Sequence, residues 1–412
     1  MEDPHYSSLV NTSLSLSSNL PISLDITAYR LRGEEHPLLK TLIPHSKRWK
    51  EFIFSSDIES LSSGSFSNLR SRLTSLHSLK FRIFGSSRED VASWPGINIF
   101  EDCPQLRDVE LELPPSTDVQ VTDSFMFPSL PFPWSQLTCF TGKHMHLSYI
   151  LELLRQATLL TECNLHETLP CPPDTPDYQV VVAHHSLQKL SISGISLKSY
   201  TAVARENREN FSAILFKLLV LPSLNNLSIN LPEISIDAGI LIDFISRSAC
   251  SLTSLTVLVY NLGDNFILLL KSTPHLSRLD IKRPSSSALS MLVYSKVDPA
   301  PPLLPKLRQL DIHSPASNTV QEILQIVESR SQPYIQRDDT RHSAVLLETV
   351  SLLELSDDSL TSEILFTLRG REPQRQADEK YKTILKWENA ILEFGCQATT
   401  NVNFSQIHLS FG

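Results

Sequence analysis

Two stretches of this chain, TPHLSRLDIKR at residues 273–283 and LPKLRQLDIHS at 304–314, align without a gap at an offset of 31 residues. A chain that repeats at such a period folds as a stack of like units, because one unit cannot bury its apolar faces alone. The spacing apolar-x-x-apolar-x-apolar recurs twelve times. Its first apolar position falls at Trp49, Leu76, Leu106, Leu137, Leu160, Leu187, Leu224, Leu252, Leu276, Leu307, Leu347 and Phe404. The intervals from Trp49 to Leu307 average about 29 residues, and the last two, 40 and 57, contain insertions.

The residues between the apolar ones test the pattern. Side chains alternate faces along a strand, so positions three, five and seven of each motif should point away from the core. Of those thirty-six residues only Ile53, Cys139, Leu258 and Leu353 are hydrophobic, where a 41% hydrophobic composition predicts about fifteen. Each motif is therefore read as a short strand with one apolar and one polar face.

Helical spacing fills several intervals, at residues 148–160, 237–249, 264–272 and 319–330. In the last of these, Ile323, Ile326 and Val327 follow i, i+3, i+4. Asp237 and Asp264 stand where N-caps belong. The expected fold class is α/β, an irregular horseshoe-like solenoid with a parallel sheet and outer helices. Strands stack about 4.8 Å apart and helices about 10 Å, so the sheet should lie on the concave side.

Residues 1–20 are Ser-rich without helical periodicity and are expected to be disordered. Residues 21–412 should form a single solenoid, with the charged run RGREPQRQADEKYK at 369–382 as an insertion. The amphipathic stretch YKTILKWENAILEFG, 381–395, is expected to cap the last strand.

The L-x-x-L-x-[LI] unit with intervening helices resembles the leucine-rich repeat, from about residue 45 to the C-terminus. That resemblance implies a leucine-rich-repeat-like solenoid. One departure is systematic: position nine, where the family places Asn or Cys, is Pro114, Pro232, Pro284 and Pro315 in four of the best copies. Proline has no amide hydrogen, so no continuous asparagine ladder can form and the strands should end there. The segment HPLLKTLIPHSKRWKEFIF, 36–54, is similar to the part of basidiomycete fungal F-box proteins that follows their F-box. This resemblance implies the substrate-recognition repeats of a Skp-cullin ubiquitin ligase receptor. The F-box itself is expected to be absent from this chain, because the residues before the resemblance are too few and too Ser-rich.

The residues point away from catalysis. No G-x-x-x-x-G-K-[ST], G-x-G-x-x-G, G-x-S-x-G or H-E-x-x-H occurs. Six scattered cysteines without a C-x-x-C pair suggest neither a zinc site nor a disulfide framework. The histidine clusters 143–146 and 184–185 read as loop residues, and no metal or cofactor is expected. A net charge of −9, no basic n-region and no apolar run of about 18 residues predict a soluble intracellular protein binding neither nucleic acid nor membrane.

What remains is the outward strand face, the expected partner-binding surface. It comprises Lys80, Arg82, Asp108, Glu110, Glu112, His166, Lys189, Asn226, Asn230, Arg278, Asp280, Lys282, Asp311 and His313. Asp108 with Glu110 and Glu112 is expected to be solvated rather than a catalytic pair. The expectation is a non-enzymatic module that binds a protein partner, either in a ubiquitin ligase receptor or as an interaction scaffold unconnected to ubiquitination.

Overall fold

A computed structural model of the chain describes residues 4–28, 37–56, 68–83, 98–113, 132–168, 180–194, 212–262, 265–294, 303–330, 347–353 and 406–410. The chain divides into two compact units, Met1–Leu224 and Asn225–Gly412. Both are α/β, and the strands of each pair in chain order.

The first unit opens with helix α1, Pro4–Leu16, followed by β1, Ile22–Ala28, and the short α2, Pro37–Leu42. Next come β2, Trp49–Ser56, β3, Ser78–Ile83, β4, Asp108–Glu112, and β5, Cys139–Lys143. Helix α3, Leu147–Gln156, precedes β6, Glu162–His166; β7, Val182–Ala183; β8, Lys189–Ser193; and β9, Leu219–Val220. Strands β1 to β6 and then β8 form one parallel run. Strands β7 and β9 pair separately, also in parallel.

The second unit holds β10, Asn226–Ser235; α4, Ala238–Ser248; β11, Ser254–Asn261; and α5, Phe266–Lys271. After β12, Arg278–Lys282, come α6, Ser286–Ser290, β13, Gln309–His313, and α7, Val320–Arg330. It closes with β14, Thr349–Leu353, and β15, Gln406–Ser410. Strands β10 to β14 are parallel neighbours, and β15 joins β14 antiparallel.

All twelve motifs are strands. The first apolar residue of each motif from Trp49 to Leu347 is at most 1% exposed. Along β3, β4, β5 and β6 half-buried and buried residues alternate strictly, as the polar face requires. Aromatic rings extend the first unit's core: Trp49, Phe52, Phe54, Phe81 and Phe100 meet in sequence, with centroids 5.1–6.4 Å apart. At Gly142 the inward position carries no side chain, and the Met145 sulfur lies where a Cβ would stand.

Main-chain bonds tie neighbouring repeats together at the start of the strands. The carbonyl of motif position two accepts two N–H groups from the next repeat: Arg107 and Asp108 on His77, Thr138 and Cys139 on Arg107, Thr161 and Glu162 on Thr138, at 2.9–3.1 Å. The second unit repeats this on Asn225, Thr253, Ser277 and Arg308. Thr138, Thr161, Thr253 and Ser277 add their hydroxyls to the same carbonyls. At the far end, position eight is left-handed in five repeats: His144, Glu167, Gly194, Arg283 and Ser314, with φ between 47° and 67°. That turn, one residue before the position where proline was expected to act, takes the chain off the sheet.

Side chains close other gaps between repeats. His184, in the loop where the sequence places it, is nevertheless only 2% exposed. Its Nδ1 accepts from Leu187 N–H at 3.1 Å, which leaves Nε2 protonated to donate to the Ala157 carbonyl at 2.8 Å. Burial pushes this imidazole below its usual range, partly offset by the bond to the Ala157 carbonyl. Gln136 donates to the carbonyls of Cys103 and Leu106. Arg330 donates to those of Leu292, Leu304 and Leu303.

The N-terminal expectation is corrected: α1 is a helix, not a disordered segment. Val10, Leu14 and Ser17 follow i, i+4, i+7; Leu14 is buried, and Ser17 accepts from Arg48 Nη2 at 2.7 Å. Serines dilute the apolar spacing, and packing overrides weak propensity. Strand β1 extends the parallel run by a repeat the motif did not reveal, because Pro21 occupies its first apolar position. Strand β10 runs through exposed Pro232, with a register shift between Leu231 and Ser235, where an irregular ladder needs no proline N–H. Pro284 and Pro315 are buried just past their strands, while Pro114 lies outside the described residues. Among the expected N-caps, Asp237 accepts from Gly239 N–H at 2.9 Å. Asp264, the run at 369–382 and the stretch at 381–395 lie outside the described residues.

Candidate functional site

The polar strand faces hold every sequence-predicted site residue, and neighbouring repeats decide what each one does. In the first unit the register aligns Lys80 with Glu110, and Arg82 with Glu112, Lys143 and His166. Lys80 Nζ lies 3.0 Å from Glu110 Oε2 and Arg82 Nε 3.4 Å from Glu112 Oε2. Lys143 Nζ bridges both carboxylates, at 3.4 Å and 3.2 Å. Asp108 accepts from Ser78 Oγ at 3.2 Å, and Lys189 pairs with Glu162 at 3.3 Å. Lys143 and Glu162 belong to weaker motif copies and were not among the expected site residues; aligning positions three and seven of adjacent repeats is the signal that finds them.

This lattice has an electrostatic consequence. Burial alone would raise the Glu110 carboxyl, but hydrogen bonds and charge from Lys80 and Lys143 outweigh it and hold the group below its usual range. Four cations (Lys80, Arg82, Lys143, Lys189) stand against four carboxylates (Asp108, Glu110, Glu112, Glu162), so the patch has no net charge to steer a charged ligand. Glu110 and Glu112, with fixed cationic partners, are ill suited to proton transfer. His166 Nδ1 lies 2.6 Å from Ser193 Oγ, and burial pushes its imidazole down, Lys143 adding to the effect. His144 Nδ1 stands 3.2 Å from Glu167 Oε2 where two left-handed corners meet. His146 is buried against Tyr149.

In the second unit Asn226, Ser228, Asn230, Ser254 and Thr256 form an uncharged stretch on β10 and β11. Asn230 is exposed and the other four are half-buried, and none has a side-chain hydrogen bond or ion pair among the described residues. Next to it two residues expected to face outward toward a partner are nearly covered: Asp280 is 8% and Asp311 4% exposed. Both remain on the polar face as register partners, with Ile281 and Ile312 beside them. The outer residues of the two strands cover them. Arg278 Nη2 lies 3.2 Å and Gln309 Nε2 2.8 Å from Asp311 Oδ2, and His313 Nε2 stands 3.0 Å from Asp280 Oδ1. Burial raises the Asp280 carboxyl above its usual range despite the opposing pull of His313. Lys282 is half-buried at the end of β12.

A groove of about 660 Å³ lies at the leading edge of β11, β12 and β13, lined by Ser251, Thr253, His275, Ser277, Lys306 and Arg308. Sequence reasoning did not single it out. These residues flank the buried Leu252, Leu276 and Leu307 in three successive repeats, a periodicity already present in the motif.

No cluster of three or more His, Cys, Asp or Glu side chains suited to a metal ion occurs among the described residues. Among those residues, no helix is long and apolar enough to cross a membrane. Neither a protein-family model nor a curated protein matches the chain.

Proposed function

We propose that the chain is a leucine-rich-repeat-type recognition module, working as the substrate-recognition part of an F-box-type ubiquitin ligase receptor. The observation that carries the binding role is the uncharged stretch Asn226, Ser228, Asn230, Ser254 and Thr256. Its hydroxyls and amides are unspent and stand on a paired β scaffold. Preorganised, uncommitted donors and acceptors favour association because little ordering entropy remains to be lost. The first unit's charges are matched to one another, and neither strand face carries the continuous basic stripe with aromatics that nucleic acid calls for. The receptor role rests on HPLLKTLIPHSKRWKEFIF, in which Trp49, Phe52 and Phe54 are core residues of β2.

Affinity capture from cells of the protein tagged at its own locus, so that any in-frame F-box encoded upstream of Met1 is kept, tests both halves. The Skp adaptor and a second protein should be recovered. The double change Asn226→Lys and Asn230→Lys should lose the second protein and keep the adaptor. Recovery of the second protein without the adaptor would leave an interaction scaffold unconnected to ubiquitination. Capture unchanged by the double change would remove this face as the recognition surface.

A further inference from the structure

We infer that the groove at the leading edge of β11–β13 binds a phosphate group on a protein segment, a site separate from the polar strand faces. The inward leucine of each repeat start forces its two neighbours outward, so three repeats place Ser251 and Thr253, His275 and Ser277, and Lys306 and Arg308 along one groove. Lys306 Nζ lies 3.2 Å from His275 Nδ1. An ammonium has only donors, so Nδ1 must accept and the imidazole proton sits on Nε2. The Ser251 hydroxyl is uncommitted. Arg308 places one nitrogen 2.5 Å from Glu348 Oε1 and has further N–H groups beyond that bond. The groove therefore offers an ammonium, a guanidinium, an imidazole N–H and a hydroxyl against one carboxylate, in a chain of net charge −9.

The same two motif positions show this bias elsewhere. Among the described residues they hold Arg48, Lys50, Arg107, Lys306 and Arg308 as cations and only Glu348 as an anion. Several converging donors suit the three oxygens and roughly double charge of a phosphate monoester better than a single carboxylate. No Phe, Tyr or Trp lines the groove to stack a base, which favours a phosphorylated protein over nucleic acid.

Calorimetric titration of the full chain tests the inference with two short peptides of one sequence, one carrying phosphoserine and one serine. The phosphopeptide should bind saturably, about tenfold or more tighter than its serine counterpart, and should weaken as salt is raised. Lys306→Ala with Arg308→Ala should weaken it by about tenfold or more. Ser251→Glu, which adds negative charge from another repeat and leaves both cations in place, should do the same. An unaffected melting temperature would show that the variants fold. Equal binding of the two peptides, binding indifferent to both sets of changes, or tighter binding of an RNA oligonucleotide with as many phosphates would overturn the site.

Discussion

Arg330 ends α7 and is 3% exposed, yet its contacts are carbonyls: Leu292 at 2.8 Å, Leu304 at 3.0 Å and Leu303 at 2.5 Å. Burial lowers its pKa to about 10, so it stays charged at neutral pH. Each charge-assisted hydrogen bond is worth about 1.5–3 kcal/mol, opposed by several kcal/mol for desolvating the cation. Truncation removes both terms but leaves the Leu292 and Leu303 carbonyls without this donor, at about 1–3 kcal/mol each where water does not enter, while Leu304 keeps the Leu307 N–H at 3.2 Å. Arg330→Ala should therefore cost about 3–5 kcal/mol. Arg330→Lys, which keeps the charge but loses the planar fork, should cost about half as much. Arg308 is the control: its Glu348 pair has side chains 54% and 52% exposed, so Arg308→Ala should cost under about 1 kcal/mol. Urea unfolding followed by circular dichroism measures all three, and hydrogen exchange over residues 303–313 localises the loss. An Arg330→Ala midpoint within about 0.5 kcal/mol of the parent, at unchanged slope, would refute the assignment of Arg330 as the tie between these repeats.

Leu279 is fully buried, so Leu279→Ala should lose about 2–5 kcal/mol in the same melt. Arg278→Ala should lose about 1–2 kcal/mol because it strips a donor from nearly buried Asp311; a loss near zero would mean the pair is ornamental. Glu110 has a lowered folded pKa, so its stabilisation is complete above its unfolded pKa and disappears as pH falls through the folded value. The stability gap between the parent and Glu110→Gln should shrink on acidification below about pH 4.5. Asp280 has a raised folded pKa, so its favourable contribution belongs to low pH and is lost as pH rises. Asp280→Asn should accordingly gain on the parent between about pH 4 and 7, and a gap moving the other way in parallel melts would reverse the sign assigned here. His184→Ala should cost about 1–3 kcal/mol by orphaning the Leu187 N–H and taking one of two donors from the Ala157 carbonyl, and His184→Gln should restore part of it.

What the sequence discloses and what it hides divide along a physical line. Burial of Leu279 and exposure of Arg278 follow from period-two alternation within one strand, and every motif strand was legible that way. The antiparallel direction of β15 was not, because alternation looks the same read either way along a strand. Glu110's two lysines come from β3 and β5, so they emerge only when repeats of unequal length are set in register. Asp280 and Asp311 hold outward positions and are still buried, because Arg278, Gln309 and His313 bend over them; outward on a strand is not the same as wet. His184 and Arg330 are harder still. Their partners are carbonyls 26–38 residues away, and a carbonyl has no signature in the residue that carries it.

The backbone ladder at the start of each strand links this architecture to its surface. An asparagine ladder commits one side chain per repeat to holding the stack together. Here a main-chain carbonyl at position two accepts two N–H groups of the next repeat, and that carbonyl exists whatever the side chain is. Position two in these repeats is accordingly His77, Arg107, Thr138, Thr161, Asn225, Thr253, Ser277 and Arg308, with no shared chemistry. Some of these hydroxyls strengthen the ladder, but His77, Arg107 and Arg308 leave their side chains to solvent and keep the backbone bonds at 2.7–3.1 Å. Side chains at positions relieved of structural work can vary toward a ligand without unstacking the repeats. Arg308 stands at such a position in the groove, so removing its charge together with that of Lys306 should change binding far more than stability.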